Sequence, residues 1–182
     1  MNREFKEHIE AEIPILKRYF ALIRPVMLLK VRRNNFSYDA IYMFRYCLFF
    51  LKSTNFLKKQ MAKRYRRLLA YRYGILFSVT SKTKFGKGLR FPHPTGIVIG
   101  ADVNVGENCI IYQNVTIGGA RVGEGAQSKY PTIGNNCILY AGSKILGEIS
   151  ISDGTTVGAN AVLLRDTEPD STYAGIPAKK IN

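Results

Sequence analysis

The sequence predicts a mainly β protein in which a parallel β-helix of short strands follows a basic α-helical segment. Two observations lead to this prediction: aliphatic residues return every six positions in the second half, and positive charge is concentrated in the first half. The change of pattern divides the 182 residues into a helical segment, 1–77, and a β-helical domain, 78–182.

The six-residue spacing occurs in two series, one from Ile99 to Ile117 and one from Ile133 to Leu163. Neither an α-helix, with about 3.6 residues per turn, nor a free alternating strand requires a period of six. A chain that coils with three short strands per turn does require it. Each aliphatic side chain then points into the interior, and the coils stack about 4.8 Å apart as parallel strands.

The corners between strands provide an independent check. Three residues after each aliphatic position except Ile117, where the spacing is interrupted, eight of nine residues are Asn, Asp or Gly, which best tolerate a left-handed backbone at a sharp corner. The next residue is mostly small, as a narrow interior demands. The nine corner positions are Asp102, Asn108, Asn114, Asn136, Gly142, Glu148, Gly154, Asn160 and Asp166.

The spacing is interrupted between Ile117 and Ile133, so residues 118–132 are predicted to form an extended loop. Binding residues concentrate in loops that a rigid scaffold holds, which favours a functional element. A tolerated surface insertion is the other interpretation that the sequence allows.

Three stretches of the first segment read as helical: residues 4–23, closed by Pro25, residues 37–52, with Ser37 as cap, and residues 55–75, with Thr54 or Asn55 as cap. Residues 1–90 hold 21 Lys and Arg against 5 Asp and Glu, whereas residues 91–182 hold 6 against 8. This asymmetry predicts two regions with separate roles.

Compartment and membrane topology are predicted from cysteine use and hydropathy. Three cysteines form no C-x-x-C pair, and the N-terminus has no secretory signal pattern, which favours reduced thiols in the cytoplasm. The longest apolar run, residues 41–51, contains Arg45 and has about half the length of a membrane span.

Residues 79–182 resemble the hexapeptide-repeat acetyltransferases, most closely the serine acetyltransferase branch. The matching stretches are "GKGLRFPHPTGIVIG", "NVTIGG", "KYPTIGNNCILYAGSKILGEI" and "YAGIPAKKI". The resemblance implies a left-handed parallel β-helix, a homotrimer, and acetyl-CoA as co-substrate in the groove between neighbouring protomers.

The resemblance also implies that His93, in "FPHPTG", is the general base. An alcohol that attacks a thioester must lose its proton as the new bond forms, and imidazole titrates near neutrality. A backbone N–H near Gly118 or Gly119 is expected to stabilise the oxyanion. No metal is expected, because a zinc site of three histidines cannot be built from the two that the chain has, His8 and His93.

Carried over in the same way, the acetyl-CoA contacts are small residues along the coil and two lysines in the tail that meet the phosphates. Lys129 and Tyr130, in the loop, correspond to the pair that binds the acceptor. The acetyl-CoA contacts are Gly119, Ala141, Gly142, Ala159, Lys179 and Lys180.

Two departures from the serine branch concern charge. The aspartate that orients the histidine corresponds to Ser78, and the aspartate immediately before the histidine corresponds to Pro92. Free serine is a zwitterion and needs paired charges that a sugar hydroxyl does not. The sequence therefore favours O-acetylation of a capsular or other surface polysaccharide, or of its lipid-linked precursor. The group that orients His93 is not identified.

Two alternatives to polysaccharide acetylation stay open: serine acetylation for cysteine synthesis, and a hexapeptide-repeat scaffold without catalytic activity. The basic segment is expected to contact an anionic membrane at its inner face, an acidic glycan, or other subunits as a helical cap of the trimer. Nucleic acid is not favoured, because no recognised binding motif accompanies the charge.

Overall fold

The computed structural model describes residues 3–13, 35–51, 53–80, 82–121 and 129–182. The predicted first helix beyond Ile13 and the middle of the predicted loop, residues 122–128, lie outside these ranges. Within the described ranges the first segment forms helices α1 (Arg3–Glu12), α2 (Phe36–Phe50) and α3 (Phe56–Tyr73).

The caps of α2 and α3 explain where these helices begin and end. The Asn35 side chain accepts a hydrogen bond from the Tyr38 backbone N–H, so Asn35 caps α2. The sequence predicted Ser37 as this cap, and that prediction was wrong. Ser37 lies inside the first turn, where its backbone is already helical. Asn55 caps α3, as one of the two predicted caps, and Gly74, with φ of 62°, ends it.

The rest of the described chain forms fourteen strands of two or three residues each. They are β1 (Leu76–Phe77), β2 (Lys84–Phe85), β3 (Val98–Ile99), β4 (Asn104–Val105), β5 (Ile110–Ile111), β6 (Thr116–Gly118), β7 (Thr132–Ile133), β8 (Ile138–Leu139), β9 (Lys144–Leu146), β10 (Ser150–Ile151), β11 (Thr156–Val157), β12 (Val162–Leu163), β13 (Thr172–Ala174) and β14 (Lys179–Lys180). Strand pairing begins at Leu76, within two residues of the predicted boundary at residue 78.

The strands form three sheets that are the faces of a prism. The first sheet has the order β1-β3-β6-β9-β12, the second β10-β7-β4-β2 and the third β14-β13-β11-β8-β5. Every described pair is parallel except β13 with the terminal strand β14. Successive strands of the chain therefore lie on successive faces, which is the parallel coil that the six-residue period predicts.

The interior is built from the predicted positions. The ten aliphatic residues of the two series are at most 4% exposed, and the small residue after each corner is buried as well. Seven of the nine predicted corners have a positive φ; Glu148 and Asp166 do not. At the Glu148 corner the neighbouring Gly147 adopts the positive φ, of 99°.

Gly142 shows how tightly the corners stack, and it provides a test of the coil. Its φ is 75°, and a Cβ built there would lie 2.1 Å from the Asn160 Oδ1 in the next coil. We expect Gly142→Ala to lower the free energy of unfolding by about 2 kcal/mol in urea titrations. Gly118→Ala is the matched control, because a Cβ at Gly118 meets nothing within 4 Å. Equal stability of the two variants would contradict the expectation.

The helices and the first coil share one hydrophobic core. The Phe44 ring of α2 lies 4.8 to 5.3 Å, between ring centroids, from the rings of Phe77, Phe85 and Phe91. Aromatic pairs at this separation add to the free energy gained by burial. The helical segment thus packs directly on the end of the β-helix where the chain enters it.

A buried ion pair lies in the same contact. Arg45 of α2 is 1% exposed and donates to the Glu12 carboxylate of α1, with Nε 2.8 Å from Oε1. It also donates to the Phe85 carbonyl oxygen at 2.7 Å, and Glu12 accepts from the Leu89 N–H at 3.1 Å. Burial raises the pKa of Glu12, and the charge and hydrogen bonds of Arg45 oppose that rise.

The three cysteines are fully buried thiols. Cys109 and Cys137 occupy the small-residue positions inside successive coils, as the repeat predicts. Burial raises the pKa of Cys47 to about 12, which leaves it protonated near neutral pH. These residues act as interior packing.

Helix α3 is strongly basic. Its 18 residues include seven Lys and Arg and no acidic residue. Phe56, Leu57 and Tyr71 are exposed on the same helix, at 70%, 77% and 91%. Within the described ranges, no helix is both long enough and apolar enough to cross a membrane.

Candidate active site

His93 lies on a bulge that two additional residues make at one corner of the prism. Arg90 is in register with Ile110, and Val98 is in register with Thr116. The first coil thus takes eight residues for a span that the next coil covers in six. The Thr95 N–H donates to the His93 carbonyl oxygen at 2.8 Å, which closes a tight turn over Pro94. The bulge leaves the His93 side chain exposed.

The His93 ring lies beside an aromatic ring. The centroid of the Tyr112 ring is 6.1 Å from that of His93, and the Tyr140 ring stacks on Tyr112 at 5.2 Å and 19°. No hydrogen bond joins the imidazole to another side chain or carbonyl in the part of the chain that the structure describes. Rings of three successive coils therefore form a column beside the bulge.

Small residues follow the same corner through the later coils. The Thr95 carbonyl oxygen accepts from the Asn114 N–H, that of Gln113 from Gly142, and that of Ala141 from Asn160. Thr95, Gln113, Ala141 and Ala159 consequently lie one above another. This corner brings the predicted acetyl-CoA contacts Ala141, Gly142 and Ala159 into line with His93.

Gln113, in this line, has an incomplete set of hydrogen bonds. Its Oε1 is buried and accepts no hydrogen bond within the described residues. A buried carbonyl oxygen without a donor costs about 1–3 kcal/mol. An amide N–H of a bound molecule would remove that cost, so the corner has the chemistry to hold an amide-containing chain.

The two tail lysines lie at the far end of the third sheet. Lys179, on β14, pairs with Ala174, on β13. Five strand spacings of about 4.8 Å separate β14 from Arg90, so Lys179 lies about 24 Å from Arg90. Lys180 differs because its Nζ lies 2.5 Å from the Glu168 Oε2, and this hydrogen bond raises the pKa of Lys180. Within the described part of the chain, Lys179 makes no ion pair and is the better placed to meet a phosphate.

Gly118 and Gly119 do not lie beside His93 in the same chain. They lie at the carboxyl ends of the strands of the first sheet, where Gly118 pairs with Leu146. His93 lies at the opposite end of these strands, before the amino end of β3. The Gly118 carbonyl oxygen accepts from the Gly147 N–H at 2.9 Å, and open space faces its Cα. An oxyanion donor from these residues would have to serve the His93 of another protomer.

Lys129 and Tyr130 lie at the same end of the first sheet as Gly118. The Tyr130 ring packs against Gly100, and it borders a cavity of about 310 Å³. Charged side chains of Lys82, Asp102 and Glu148 line the same cavity. Tyr130 thus borders a cavity whose lining carries both signs of charge.

Sequence reasoning missed Tyr112 and Gln113. Both follow the inward residue Ile111, and the six-residue period alone places them on the outside of the corner next to the bulge. Val98 follows Arg90 by eight residues and not by six. This excess of two residues was the sequence signal that His93 lies over this coil.

The comparisons with known proteins first define a class by fold and repeat. Residues 130–165 match the family described as bacterial transferase hexapeptide (six repeats). A solved serine acetyltransferase in complex with CoA aligns with 99% of this chain and 71% of its own, with a TM-score of 0.72 and 24% identity. The predicted fold, a left-handed parallel β-helix with an N-terminal helical segment, is confirmed.

Two further comparisons indicate the proteins that the chain is similar to. A serine acetyltransferase of Synechococcus elongatus is 42% identical over 98 residues, which are 54% of this chain and 39% of that relative. The structure of soybean serine acetyltransferase complexed with serine covers 99% of this chain and 70% of its own, with a TM-score of 0.72 and 27% identity. The chain therefore spans less than half the length of that curated relative.

These comparisons correct the main functional prediction. Acetylation of a capsular or surface polysaccharide is contradicted, because the relatives are serine acetyltransferases. They favour serine acetylation, which the sequence left open only as an alternative. Neither a glycan acceptor nor contact with an anionic membrane receives support. The error has a physical reason. Missing aspartates at Ser78 and Pro92 do not exclude a zwitterion when other positions supply the charges.

Proposed function

We propose that the chain transfers the acetyl group of acetyl-CoA to the hydroxyl of serine. The observation that carries the proposal is the single corner on which His93, a line of small residues and Lys179 succeed one another over about 24 Å. This length suits an extended CoA chain, with its thioester at His93 and its phosphates at Lys179. The identity to serine acetyltransferases supports the acceptor.

In the proposed reaction, a ring nitrogen of His93 takes the proton of the serine hydroxyl as its oxygen attacks the thioester carbonyl carbon. The C–O bond forms and the carbonyl oxygen becomes an oxyanion. Collapse of this intermediate breaks the C–S bond, and the imidazolium returns the proton to the leaving thiolate. The products are O-acetylserine and CoA, with no covalent enzyme intermediate.

The proposal includes a homotrimer. In one chain, His93 and the loop residues Lys129 and Tyr130 lie at different corners of the prism. Packing three prisms side by side would bring the His93 corner of one protomer against the Tyr130 corner of its neighbour. The acceptor would then bind in the charged cavity beside Tyr130, and Gly118 or Gly119 of that neighbour would supply the oxyanion donor.

The cavity suits the acceptor electrostatically. The serine carboxylate requires a cation, which Lys82 would provide, and its ammonium requires an anion, which Asp102 or Glu148 would provide. Lys129, next to Tyr130 in the chain, is a second candidate cation. Because acetyl-CoA is a cytoplasmic metabolite, we propose that the reaction takes place in the cytoplasm. The division into a helical segment, 1–77, and a catalytic β-helix, 78–182, is part of the same proposal.

The proposal is tested by incubating the purified protein with acetyl-CoA and L-serine and following CoA release. We expect release that depends on L-serine and saturates with it. D-serine and a reaction without acceptor are the controls. No acetyl transfer to L-serine at any enzyme concentration would favour the scaffold without activity and would overturn the proposed function.

A further inference from the structure

We propose that Tyr112 is the positioning residue for His93 and that Tyr140 holds Tyr112 in place. The proposal builds on the function proposed above. It concerns the group that orients the base, for which the serine branch uses an aspartate at the position of Ser78. Here Ser78 follows β1, directly after Phe77, which pairs with Ile99. Ser78 therefore lies at the opposite edge of the first sheet from the His93 of its own chain, and whichever protomer it faces, its hydroxyl carries no negative charge.

The column of His93, Tyr112 and Tyr140 rings can stabilise the charged imidazole, which a neutral serine hydroxyl does not. The centroid of Tyr112 is 6.1 Å from that of His93, with 46° between the ring planes. A flat ring at this distance limits the rotation of the imidazole on one side. It also presents π electrons to the imidazolium that forms when His93 takes the acceptor's proton, a cation–π contact that strengthens as the charge develops.

Tyr112 can hold His93 because it is itself held. Its backbone N–H donates to the Leu139 carbonyl oxygen at 3.0 Å, and the Tyr140 N–H donates to that of Val157 at 2.9 Å. The two rings stack at 5.2 Å and 19°. The backbone of each coil thus sets the height of each ring in the column.

The column ends after Tyr140, which gives it a second consequence. In register with Tyr112 and Tyr140, the next two coils carry Gly158 and Ala174, which have no ring. Tyr140 is 39% exposed and forms a step at this point. The surface over Gly158 is recessed because that residue has no side chain. An extended CoA chain bound along Ala159 would therefore meet the Tyr140 ring before it reaches His93.

The contact can be tested without any substrate by NMR. Because the chain has two histidines, His8 and His93, each ring Cε1–H gives its own signal. We expect Tyr112→Leu to shift the His93 signal, through loss of the ring current, and to leave the His8 signal unmoved. Tyr112→Phe, which keeps the ring, is expected to leave the His93 signal close to its original position. An unmoved His93 signal in Tyr112→Leu would overturn the proposal.

Kinetics with acetyl-CoA and serine then test the effect on the reaction. We expect Tyr112→Leu to lower kcat about fivefold while the KM for acetyl-CoA changes less than about twofold. Tyr112→Phe is expected to restore kcat to within about twofold, because the π face and not the hydroxyl contacts His93. Tyr71→Leu, on the exposed face of α3, is the matched control. Equal kcat values for Tyr112→Leu and Tyr71→Leu would also overturn the proposal.

Tyr140→Leu keeps the test decisive if Tyr112→Leu does not fold. Without the stacked ring, Tyr112 gains freedom, and we expect the His93 signal to shift and kcat to fall about twofold. An unchanged His93 signal in this variant would contradict the bracing role. Failure of the proposed function is a separate result: the unmodified protein would not acetylate serine, although the NMR contact between Tyr112 and His93 could still be present.

Discussion

His93→Ala is expected to lower kcat for acetyl transfer to serine about a thousandfold, because it removes the group proposed to take the hydroxyl proton. The KM for acetyl-CoA is expected to change less than about threefold, since the line of Ala141 and Ala159 that would hold the donor is untouched. Steady-state kinetics with each substrate varied in turn separate the two constants. Urea titration is expected to give an unchanged stability, because the His93 side chain is exposed on its bulge.

The matched control is His8→Ala, the other histidine. His8 lies in α1, where its Nδ1 is 2.9 Å from the Glu4 carbonyl oxygen and its ring contacts Phe49 edge-on at 5.4 Å. We expect kcat within about twofold of the unmodified protein. A loss below about tenfold in His93→Ala, or an equal loss in both variants, would contradict the role of His93 as the base.

Arg45→Met is expected to be the most destabilising of the single substitutions considered, at about 3–5 kcal/mol in urea titrations near neutral pH. It leaves the buried Glu12 carboxylate without its cation and removes the donor of the Phe85 carbonyl oxygen. Because burial already raises the pKa of Glu12, loss of Arg45 raises it further. A raised folded-state pKa means that the protonated form is favoured on folding. The stability that protonated Glu12 contributes to the variant is therefore fully present below the pKa of Glu12 in the unfolded chain, about 4.3. It is lost as the pH rises through the pKa of Glu12 in the folded variant.

Two controls separate the buried charge from the loss of a side chain. The double variant Glu12→Gln with Arg45→Met is expected to regain at least about half of the lost stability, since the substituted amide is neutral and its oxygen still accepts from the Leu89 N–H. Arg72→Met removes a pair with Asp39 in which Arg72 is 53% exposed, and should cost at most about 1 kcal/mol. A pH-independent loss in Arg45→Met would show that packing, and not charge, dominates.

The interior and the corners of the β-helix were predictable from the sequence because they depend on local spacing. Whether Ile111 or Leu139 points inward depends only on its position within a six-residue unit, and Asn114 adopts φ of 59° for a reason that lies in its own short side chain. The cap at Asn35 was harder to predict, since Ser37 and Asn35 are both suitable residues and the choice depends on where α2 packs.

The polysaccharide acceptor was predicted wrongly because the prediction rested on two single positions, whereas the charges of the proposed serine site come from residues far apart in sequence. Ser78 and Pro92 lack the expected carboxylates, yet Asp102 and Glu148 line the cavity beside Tyr130. The six-residue period places residues 102 and 148 at corners, but no pattern in the sequence relates either of them to residue 130. Only the stacking of coils on the second sheet brings them together.

By itself, the sequence determined the coil, the side chains that fill it, the corners where it turns and the histidine that stands out from it. The tertiary structure alone decided which outward-facing residues meet. Tyr112 lies beside His93 because the first coil is two residues longer, and Arg45 pairs with Glu12 because α1 and α2 both pack on the entrance of the β-helix. The physical reason is that the period is set within each coil, whereas contacts between coils depend on register and on bulges that a repeat pattern does not contain.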